Sequence, residues 1–368
     1  MKKDVSVLIT CHNEGAYIAS AIASVINQTA FARIAKIVVV DDGSRDESPD
    51  RVRAEAARCP LIDLVVRPEP GGVSAARNTG LARIDTEWVA FLDGDDLWAP
   101  DKLARQFAAV AADLGAGLVY GEFIEFVRDG EPGAHIRPRV LNGAGPDILR
   151  RYFLFDAPVM PSSILMRTRL VREIGGFDEA LRLFEDTDFV LRAAAAGARL
   201  HCVAAPLIRK RIRANSLSAA LDGWERAMTA GTAAAIARHP ELAPLACRRM
   251  SYRLAKIARA RFGAGQERLG WDGLKRSLRL NPFNARAYAY AAFAMLGPAA
   301  RAGALKVVRA ALAPRTLRWT LAASLVLLPA ACTMTPRGLF EFKYPDGQLF
   351  SGVVRHIRHQ ALTPAHHG

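Results

Sequence analysis

Residues 88–98 read WVAFLDGDDLW, an apolar run that ends abruptly in acidic side chains. The run at 89–92 predicts a buried strand, and three carboxylates follow it within four residues. The glycine between Asp93 and Asp95 allows a tight turn, so both side chains can reach one cation. Because Mg²⁺ and Mn²⁺ take oxygen ligands and leave positions for substrate phosphates, we predict a divalent metal held by Asp93 and Asp95. An acidic turn that caps the following helix explains the same residues, and this alternative stays open.

Strand-like and helix-like segments alternate on the N-terminal side of this stretch. β-branched apolar runs predict strands at residues 5–10, 34–40, 61–66 and 88–92, with helical periodicity between them. Such alternation predicts a parallel sheet with crossover helices on its faces. Ligands bind beyond the carboxyl ends of the strands in sheets of this kind. The polar residues that follow each strand are therefore expected to converge on one edge of the sheet.

The pattern becomes less regular after the acidic turn. Residues 102–110 predict an amphipathic helix, and residues 117–126 and 160–166 predict strands. Residues 130–146 are rich in Gly and Pro, which indicates a variable loop. We expect the segment that precedes Arg209 to be an edge strand.

Composition indicates a globular protein with more than one domain. The chain has 368 residues, of which 51% are apolar, enough for a large core. Its five cysteines include no pair at metal-ligand spacing, which favours a reducing compartment and argues against a zinc site or a disulfide framework. No secretory signal precedes the first strand pattern, so we expect a cytoplasmic location. The expected domains are an α/β domain at 1–218, a basic helical extension at 219–315, and an apolar segment with a tail of undefined role at 316–368.

The charge of the chain is unevenly distributed. Residues 1–200 contain 24 Lys and Arg against 29 Asp and Glu, a net charge of −5. Residues 201–368 contain 26 against 7, a net charge of +19. The basic residues are dispersed among Ala and Leu without interleaved aromatics, and no nucleic-acid-binding motif is present. We therefore expect contact with an anionic membrane surface or a substrate diphosphate, and not with nucleic acid.

Five motifs occur in one order, and together they resemble glycosyltransferase family 2. They read VSVLITCHNE, VVVDDGSRDES, GGVSAARNTGL, FLDGDDLW and GGFDEALRLFEDTDFVLR, and the resemblance covers about residues 4–215. It implies an α/β GT-A-like fold, a Rossmann-like and mostly parallel sheet flanked by helices. It also implies a nucleoside-diphosphate sugar donor, a divalent metal, and transfer to an acceptor hydroxyl with inversion at the anomeric carbon.

The resemblance assigns roles to individual residues. Asp186 matches the general base that deprotonates the acceptor hydroxyl, and Glu185 is the second candidate. Asp42 matches the residue that hydrogen-bonds the nucleotide base, and His12 replaces the usual Tyr but can still stack on a base. Arg213 lies near the position of a His in a basic loop that folds over the diphosphate. The predicted substrate-binding residues are Thr10, His12, Asn13, Glu14, Asp41, Asp42, Arg77, Asn78, Asp93, Arg211 and Arg213.

These residues also have purely structural interpretations. Asp42 in an Asp-Gly-Ser sequence suits an Asx turn. Glu185 or Asp188 at a helix N-terminus suits a cap stabilised by the helix dipole. Arg77 and the arginines of the basic loop are also compatible with solvated positions.

Two other functions share parts of the pattern. A sugar-1-phosphate nucleotidylyltransferase has the same fold class, but it would need a glycine-rich loop with Arg or Lys after the first strand, which this chain lacks. A non-catalytic nucleotide-sugar-binding protein is the other alternative, and the intact Asp93, Asp95 and Asp186 argue against it.

Beyond residue 220 the resemblance ends. Residues 224–261 predict Ala-rich helices, and residues 270–288 resemble one tetratricopeptide helix running into the next, without a second full repeat. Residues 319–336 carry no charge but are short and broken by Pro, so we expect a core or interfacial helix rather than a membrane span. Together with the resemblance to glycosyltransferase family 2, these features predict a cytoplasmic enzyme on the membrane surface, with a glycan or lipid-linked acceptor.

Overall fold

The computed structural model describes most of the chain, namely residues 3–138, 140–155, 159–213 and 221–295. It divides the chain into two compact units, Met1–Ala219 and Ala220–Gly368. The apolar segment at 319–336 and the tail lie outside the described residues, so the predictions made for them stay predictions.

The described part of the first unit alternates strands and helices as the sequence predicts. Its strands are β1 (Val5–Cys11), β2 (Ile34–Asp41), β3 (Ile62–Val66), β4 (Trp88–Asp93), β5 (Leu97–Trp98), β6 (Ala116–Phe126), β7 (Ala134–Ile136), β8 (Leu165–Arg167) and β9 (Arg199–Arg211). Its helices are α1 (Ile18–Ile26), α2 (Ser48–Ala56), α3 (Val73–Leu81), α4 (Lys102–Ala112), α5 (Pro146–Phe155), α6 (Thr168–Glu173) and α7 (Glu185–Ala195). The first four predicted strands are confirmed to within one residue at each end.

The strands form one mixed sheet in the order β3-β2-β1-β4-β8-β6-β9-β5, and β7 pairs with β6. The first four strands of this order are parallel, as predicted, because helices α1, α2 and α3 carry the chain back between them. Strand β8 runs antiparallel between β4 and β6. The prediction that the strand before Arg209 lies at an edge of the sheet is wrong, because β9 lies between β6 and β5 and pairs with both. The strand expected at 160–166 is largely a 3₁₀ turn, Pro161–Ser163, followed by the short β8.

The register of β1 explains why the loops converge. Cys11 at the end of β1 pairs with Asp41 at the end of β2, and Thr10 pairs with Asp93 at the end of β4. The three strands therefore end at the same edge of the sheet, and the loops that leave them meet there.

Aromatic packing places helix α7 against strand β4. The rings of Phe177 and Phe189 are stacked with centroids 4.0 Å apart, and Phe91 of β4 meets them edge-on at 5.6 and 5.9 Å. Pairs of this kind stabilise by about 0.5–1.5 kcal/mol beyond the area they bury. The contact holds the acidic N-terminus of α7 near the edge where β4 ends.

The described part of the second unit is helical. Its α-helices are α8 (Trp224–Arg238), α9 (Ala246–Gly263), α10 (Glu267–Leu280) and α11 (Ala285–Met295). Phe262, Leu274 and Tyr290 bring α9, α10 and α11 together in one apolar cluster. Within the described ranges, no helix combines the length and the apolar character needed to cross a membrane.

Candidate active site

Asp42 organises the first part of the site. Its carboxylate Oδ1 accepts a hydrogen bond from Gly71 N at 3.0 Å, and its Oδ2 accepts one from Gly72 N at 2.8 Å. Arg67, one residue beyond β3, forms an ion pair with Oδ1. Asp42 thus joins the end of β2 to the glycine loop before α3. Arg67 could not be predicted as a site residue, because it lies in no motif and only the sheet order brings it beside Asp42.

His12 is held in one tautomer beside Asp42. Its Nδ1 lies 2.7 Å from the carbonyl oxygen of Asp42, which only accepts, so Nδ1 carries the proton. Its Nε2 accepts from Asn13 Nδ2 at 2.9 Å, and Asn13 Oδ1 in turn accepts from Arg45 N at 2.9 Å. The imidazole is exposed with a defined orientation, as stacking on a base requires. Base stacking by His12 remains a prediction.

Asp41 and Thr10 shape the backbone of the site. The Asp41 side chain is fully buried, and its two oxygens accept from Cys11 Sγ at 3.5 Å and from Ser44 N at 2.9 Å. In this position the carboxylate closes the turn after β2, and a substrate contact by Asp41 would require it to leave these partners. The Thr10 carbonyl accepts from Gly94 N at 2.8 Å, which attaches the acidic turn to β1.

Two arginines neutralise the acidic turn. Arg77 Nη2 lies 2.7 Å from Asp93 Oδ1, and Arg213 Nε lies 2.8 Å from Asp95 Oδ2. Arg213 Nη2 also donates to Glu14 Oε1 at 2.9 Å. A Cβ on Gly94 would lie 2.5 Å from Glu14 Oε2, so only glycine lets this carboxylate approach the turn.

The buried carboxylates oppose one another electrostatically. Burial, together with the charge of Asp95, raises the pKa of Glu14 to about 9. Burial and the charge of Asp93 raise the pKa of Asp95 as well. Each charge in the turn therefore makes ionisation of the neighbouring carboxylates less favourable.

The donor set fits a metal that shares its ligands with a substrate. The described residues contain no group of three or more His, Cys, Asp or Glu side chains arranged to hold a metal ion. Mg²⁺ is commonly bound by only one or two carboxylates together with waters and substrate phosphates, and Asp93 and Asp95 suit that arrangement. Arg213 Nε lies against Asp95 Oδ2 in this structure, so a metal bound to that oxygen would compete with the guanidinium.

The third carboxylate of the acidic turn, Asp96, is buried and stabilises the turn through hydrogen bonds. Asp96 is buried, its Oδ2 accepts from Ser162 Oγ at 2.7 Å, and its Oδ1 accepts from Arg211 N at 2.9 Å. Ser162 Oγ also accepts from Asp93 N at 3.1 Å. Sequence analysis did not include Asp96 and Ser162 among the site residues; the run of three acidic residues was the available signal for Asp96.

Arg211, predicted to bind substrate, has partners inside the protein. It is buried, its Nε donates to the carbonyl oxygen of Asp95 at 3.0 Å, and its Nη2 pairs with Asp129 at 2.9 Å. Its guanidinium also lies over the rings of Tyr17 and Phe126. In this conformation Arg211 positions the acidic turn, and a contact with the diphosphate would require it to leave these partners.

Arg77 joins the acidic turn to the helix that carries the predicted base. Its side chain is 3% exposed, and it donates to Glu185 Oε1 at 3.0 Å as well as to Asp93. The side-chain amide of the next residue, Asn78, forms hydrogen bonds with the backbone of Phe177 and with the carboxylate of Glu179. These bonds attach α3 to the loop before α7. A direct contact of Asn78 with the donor would need these hydrogen bonds to break.

Asp186 is the first-turn carboxylate of α7 whose side chain forms neither an ion pair nor a distant hydrogen bond among the described residues. Its Oδ1 accepts from the adjacent Thr187 N, at 2.6 Å. Asp188, considered as a cap, instead pairs with Arg192 at 2.7 Å. Burial raises the pKa of Asp186 and that of Glu185. Phe184, just before α7, has a left-handed φ of 63°, which turns the chain sharply into the helix.

Solved structures with the same architecture belong to the GT-A class of glycosyltransferases. The crystal structure of S. aureus TarS in complex with UDP-GlcNAc matches with a TM-score of 0.54 and 19% identity, over 79% of this chain and 84% of that chain. The mannosyltransferase PcManGT from Pyrobaculum calidifontis, in complex with GDP-Man and Mn²⁺, matches with a TM-score of 0.51 and 21% identity, over 87% and 84%. At these identities the likeness shows the fold, which confirms the predicted GT-A-like architecture.

Sequence relatives define the family. Residues 6–175 match the model of glycosyl transferase family 2. The pre-mycofactocin glycosyltransferase of Mycobacterium tuberculosis is 33% identical over 262 residues, which is 66% of this chain and 50% of that protein. The succinoglycan biosynthesis protein ExoU of Rhizobium meliloti is 30% identical over 223 residues, 58% of this chain and 64% of that protein. Residues 6–175 therefore form a glycosyl transferase family 2 domain, and the chain spans half to two thirds of the length of these curated relatives.

Proposed function

We propose that the chain transfers a sugar from a nucleoside-diphosphate sugar to an acceptor hydroxyl, with inversion at the anomeric carbon. The observation that supports this best is the buried Arg77, which contacts Asp93 of the donor-side turn and Glu185 of the acceptor-side helix. A direct displacement needs a base on one side of the sugar and a stabilised diphosphate on the other. Arg77 contacts Asp93 and the residue adjacent to Asp186, so one guanidinium helps to set the distance between the proposed metal ligand and the proposed base.

On the acceptor side, Asp186 is the proposed general base. Its Oδ1 accepts from Thr187 N, so we assign the proton of the acceptor hydroxyl to Oδ2. Burial raises its pKa above the ordinary range of an aspartate, which makes it a stronger base than a solvated carboxylate. Glu185 is less suited to this task because its carboxylate is already paired with Arg77.

On the donor side, Asp93 and Asp95 would hold Mg²⁺ or Mn²⁺. When bound, such an ion supplies positive charge that stabilises the leaving diphosphate. Arg213 would then give up Asp95 and be free to pair with phosphate oxygens, for which a guanidinium is well shaped. Asp96, Ser162 and Arg211 would keep the turn in place during this exchange.

The acceptor class we propose is a lipid-linked or polysaccharide hydroxyl of the cell envelope. A relative named for succinoglycan biosynthesis supports a polysaccharide product. Two alternatives predict different chemistry. A nucleotidylyltransferase would form a nucleotide sugar from a nucleoside triphosphate and a sugar 1-phosphate and release pyrophosphate. A binding protein would bind the nucleotide sugar without catalysing a reaction.

A donor panel tests the proposal. Purified protein is incubated with UDP-, dTDP-, GDP- and ADP-sugars, Mn²⁺ and an envelope lipid extract, and nucleoside diphosphate release is measured. We expect release from at least one donor that depends on the extract. Asp186→Asn is the matched control and should bind that donor without releasing the diphosphate. Binding without release by the unmodified protein would favour the binding module, and pyrophosphate formation from a nucleoside triphosphate and a sugar 1-phosphate would favour the nucleotidylyltransferase.

We further propose that the protein is peripheral on the cytoplasmic face of the membrane. In the second unit, Arg268, Lys275 and Arg279 lie exposed along one side of α10, with Asp272 as the acidic residue among them. Leu269 and Phe283 nearby are 43% and 49% exposed. Cations beside exposed apolar groups suit an anionic lipid surface, where each Lys or Arg contributes about 1 kcal/mol.

Vesicle binding tests this surface. We expect the full chain to cosediment with phosphatidylserine vesicles at low salt and to dissociate at high salt, because the Debye length falls to about 3 Å at 1 M. The double variant Lys275→Glu/Arg279→Glu should bind at least about tenfold more weakly. Arg51→Glu/Arg83→Glu, with the same net charge but substitutions in the first unit, is the matched control. Equal loss in both variants, or no binding at low salt, would contradict the proposal.

A further inference from the structure

Lys102, the first residue of α4, is a lysine that is 0% exposed. Among the described residues it pairs with no carboxylate. Its Nζ donates to Gln106 Oε1 at 2.8 Å and lies 4.0 Å from the ring centroid of Trp98. Burial lowers the pKa of Lys102 well below its ordinary range. A buried amine without an acidic partner lowers the free energy of unfolding relative to an apolar side chain of similar size, so packing alone does not account for a lysine here.

The two side chains that contact Lys102 hold consecutive carbonyl groups of one turn. Gln106 Nε2 donates to the carbonyl oxygen of Ser163 at 2.8 Å, and Trp98 Nε1 donates to that of Ser162 at 3.0 Å. Both carbonyls belong to the 3₁₀ turn that precedes β8. The amide of Gln106 can present Nε2 to Ser163 only while its Oε1 faces the opposite way. Lys102 donates to that Oε1, so it fixes the orientation of the amide.

The same 3₁₀ turn holds the backbone of a proposed metal ligand. Ser162 Oγ accepts from Asp93 N at 3.1 Å and donates to Asp96 Oδ2 at 2.7 Å. A continuous series of contacts therefore connects Lys102 on α4 to the backbone of Asp93 at the end of β4. The side chains that connect them are all buried, so water does not compete for their hydrogen bonds. Groups beyond the direct ligands commonly orient those ligands, and their loss typically weakens metal binding by about 10–100-fold.

We propose that Lys102 is a positioning residue for the metal site. By holding the side chains of Gln106 and Trp98, it fixes the 3₁₀ turn and, through that turn, the backbone of Asp93. The inference rests on the proposed metal at Asp93 and Asp95. The role is indirect, since Lys102 forms no hydrogen bond or ion pair with either carboxylate in the described part of the chain.

Titration of the full chain with Mn²⁺ tests the inference, in the presence of UDP and separately of GDP, at a temperature at which the variants are folded. Lys102→Met removes the donor to Gln106 Oε1 and keeps an unbranched side chain. We expect it to bind Mn²⁺ about 10–100-fold more weakly than the unmodified protein. Trp98→Phe keeps a ring beside Lys102 but removes the N–H that holds Ser162, so it should also weaken Mn²⁺ binding. It carries the test if Lys102→Met does not fold, because it breaks the same series of contacts.

Leu103→Met is the matched control, because it alters a buried side chain of α4 outside this series of contacts. Its Mn²⁺ affinity should stay unchanged even if its Tm falls. A folded Lys102→Met protein that binds Mn²⁺ as tightly as the unmodified protein would show that Lys102 only stabilises the core, and the inference fails. Equal weakening in Leu103→Met would assign the effect to a general loss of packing, and the inference fails again. If the unmodified protein binds no Mn²⁺ with either nucleotide, the proposed metal is overturned as well.

Discussion

Asp186→Asn should lower kcat by about 10²–10⁴-fold, the usual contribution of a general base, with little change in donor affinity. The substitution is nearly isosteric, and the amide oxygen can still accept from Thr187 N, so the start of α7 should remain intact. What is lost is the ability to take the proton of the acceptor hydroxyl. Because burial raises the pKa of Asp186, the acid limb of the pH–rate profile of the unmodified enzyme should lie above about pH 4, where an ordinary aspartate titrates.

The neighbouring carboxylate supplies the matched comparison. Glu185→Gln removes the charge paired with the buried Arg77, so we expect a lower Tm and a smaller loss of turnover than in Asp186→Asn. Donor affinity, Tm and kcat should be measured together on both variants. If Glu185→Gln is the inactive protein and Asp186→Asn is only less stable, the two roles are exchanged. Normal turnover in both would mean that neither residue is the base.

Asp95→Asn should reduce turnover by about 10²–10⁴-fold and weaken nucleotide binding in Mg²⁺ or Mn²⁺. A metal typically supplies several kcal/mol of charge stabilisation, and about 1.4 kcal/mol corresponds to tenfold in rate. The substitution also removes the charge opposite Arg213 Nε and leaves Glu14 as the other carboxylate that pairs with Arg213. Chelator should reduce the activity of the unmodified enzyme to a similar level and should have little further effect on the variant.

Direct metal binding provides a readout that is independent of turnover. Titration of free Mn²⁺ in the presence of UDP should show binding to the unmodified protein and much weaker binding to Asp95→Asn. Asp50→Asn is the matched control, since its carboxylate is 79% exposed and pairs only with Arg53 among the described residues. An Asp95→Asn enzyme that binds nucleotide and turns over normally in excess chelator would show that the metal assignment is wrong.

The alternation of apolar runs and helical periods was enough to predict the parallel half of the sheet. Local patterns specify such strands because both faces of β1 and β4 are buried, and this requires continuous apolar residues. The second half of the sheet was less predictable. Strand β8 is short and begins after a 3₁₀ turn, and β9 lies inside the sheet only because the two-residue β5 pairs with it. Pairing between segments more than 100 residues apart leaves no local signal.

The family, the fold class and the position of the acidic turn at the carboxyl end of β4 could all be predicted from the sequence. This was possible because the five motifs and the apolar runs are local features that can be recognised without knowledge of tertiary contacts. The contacts of each polar side chain depend on its neighbours in the folded chain and could not be predicted. Asp41 and Arg211 are turned inward, and Arg67 and Asp96 are drawn into the site. Arg77 connects two carboxylates from segments 92 residues apart in the chain, at 93 and 185. A buried charge is stable only when an opposite charge lies beside it. The sequence shows which residues are charged, but not which of them are neighbours in the folded chain.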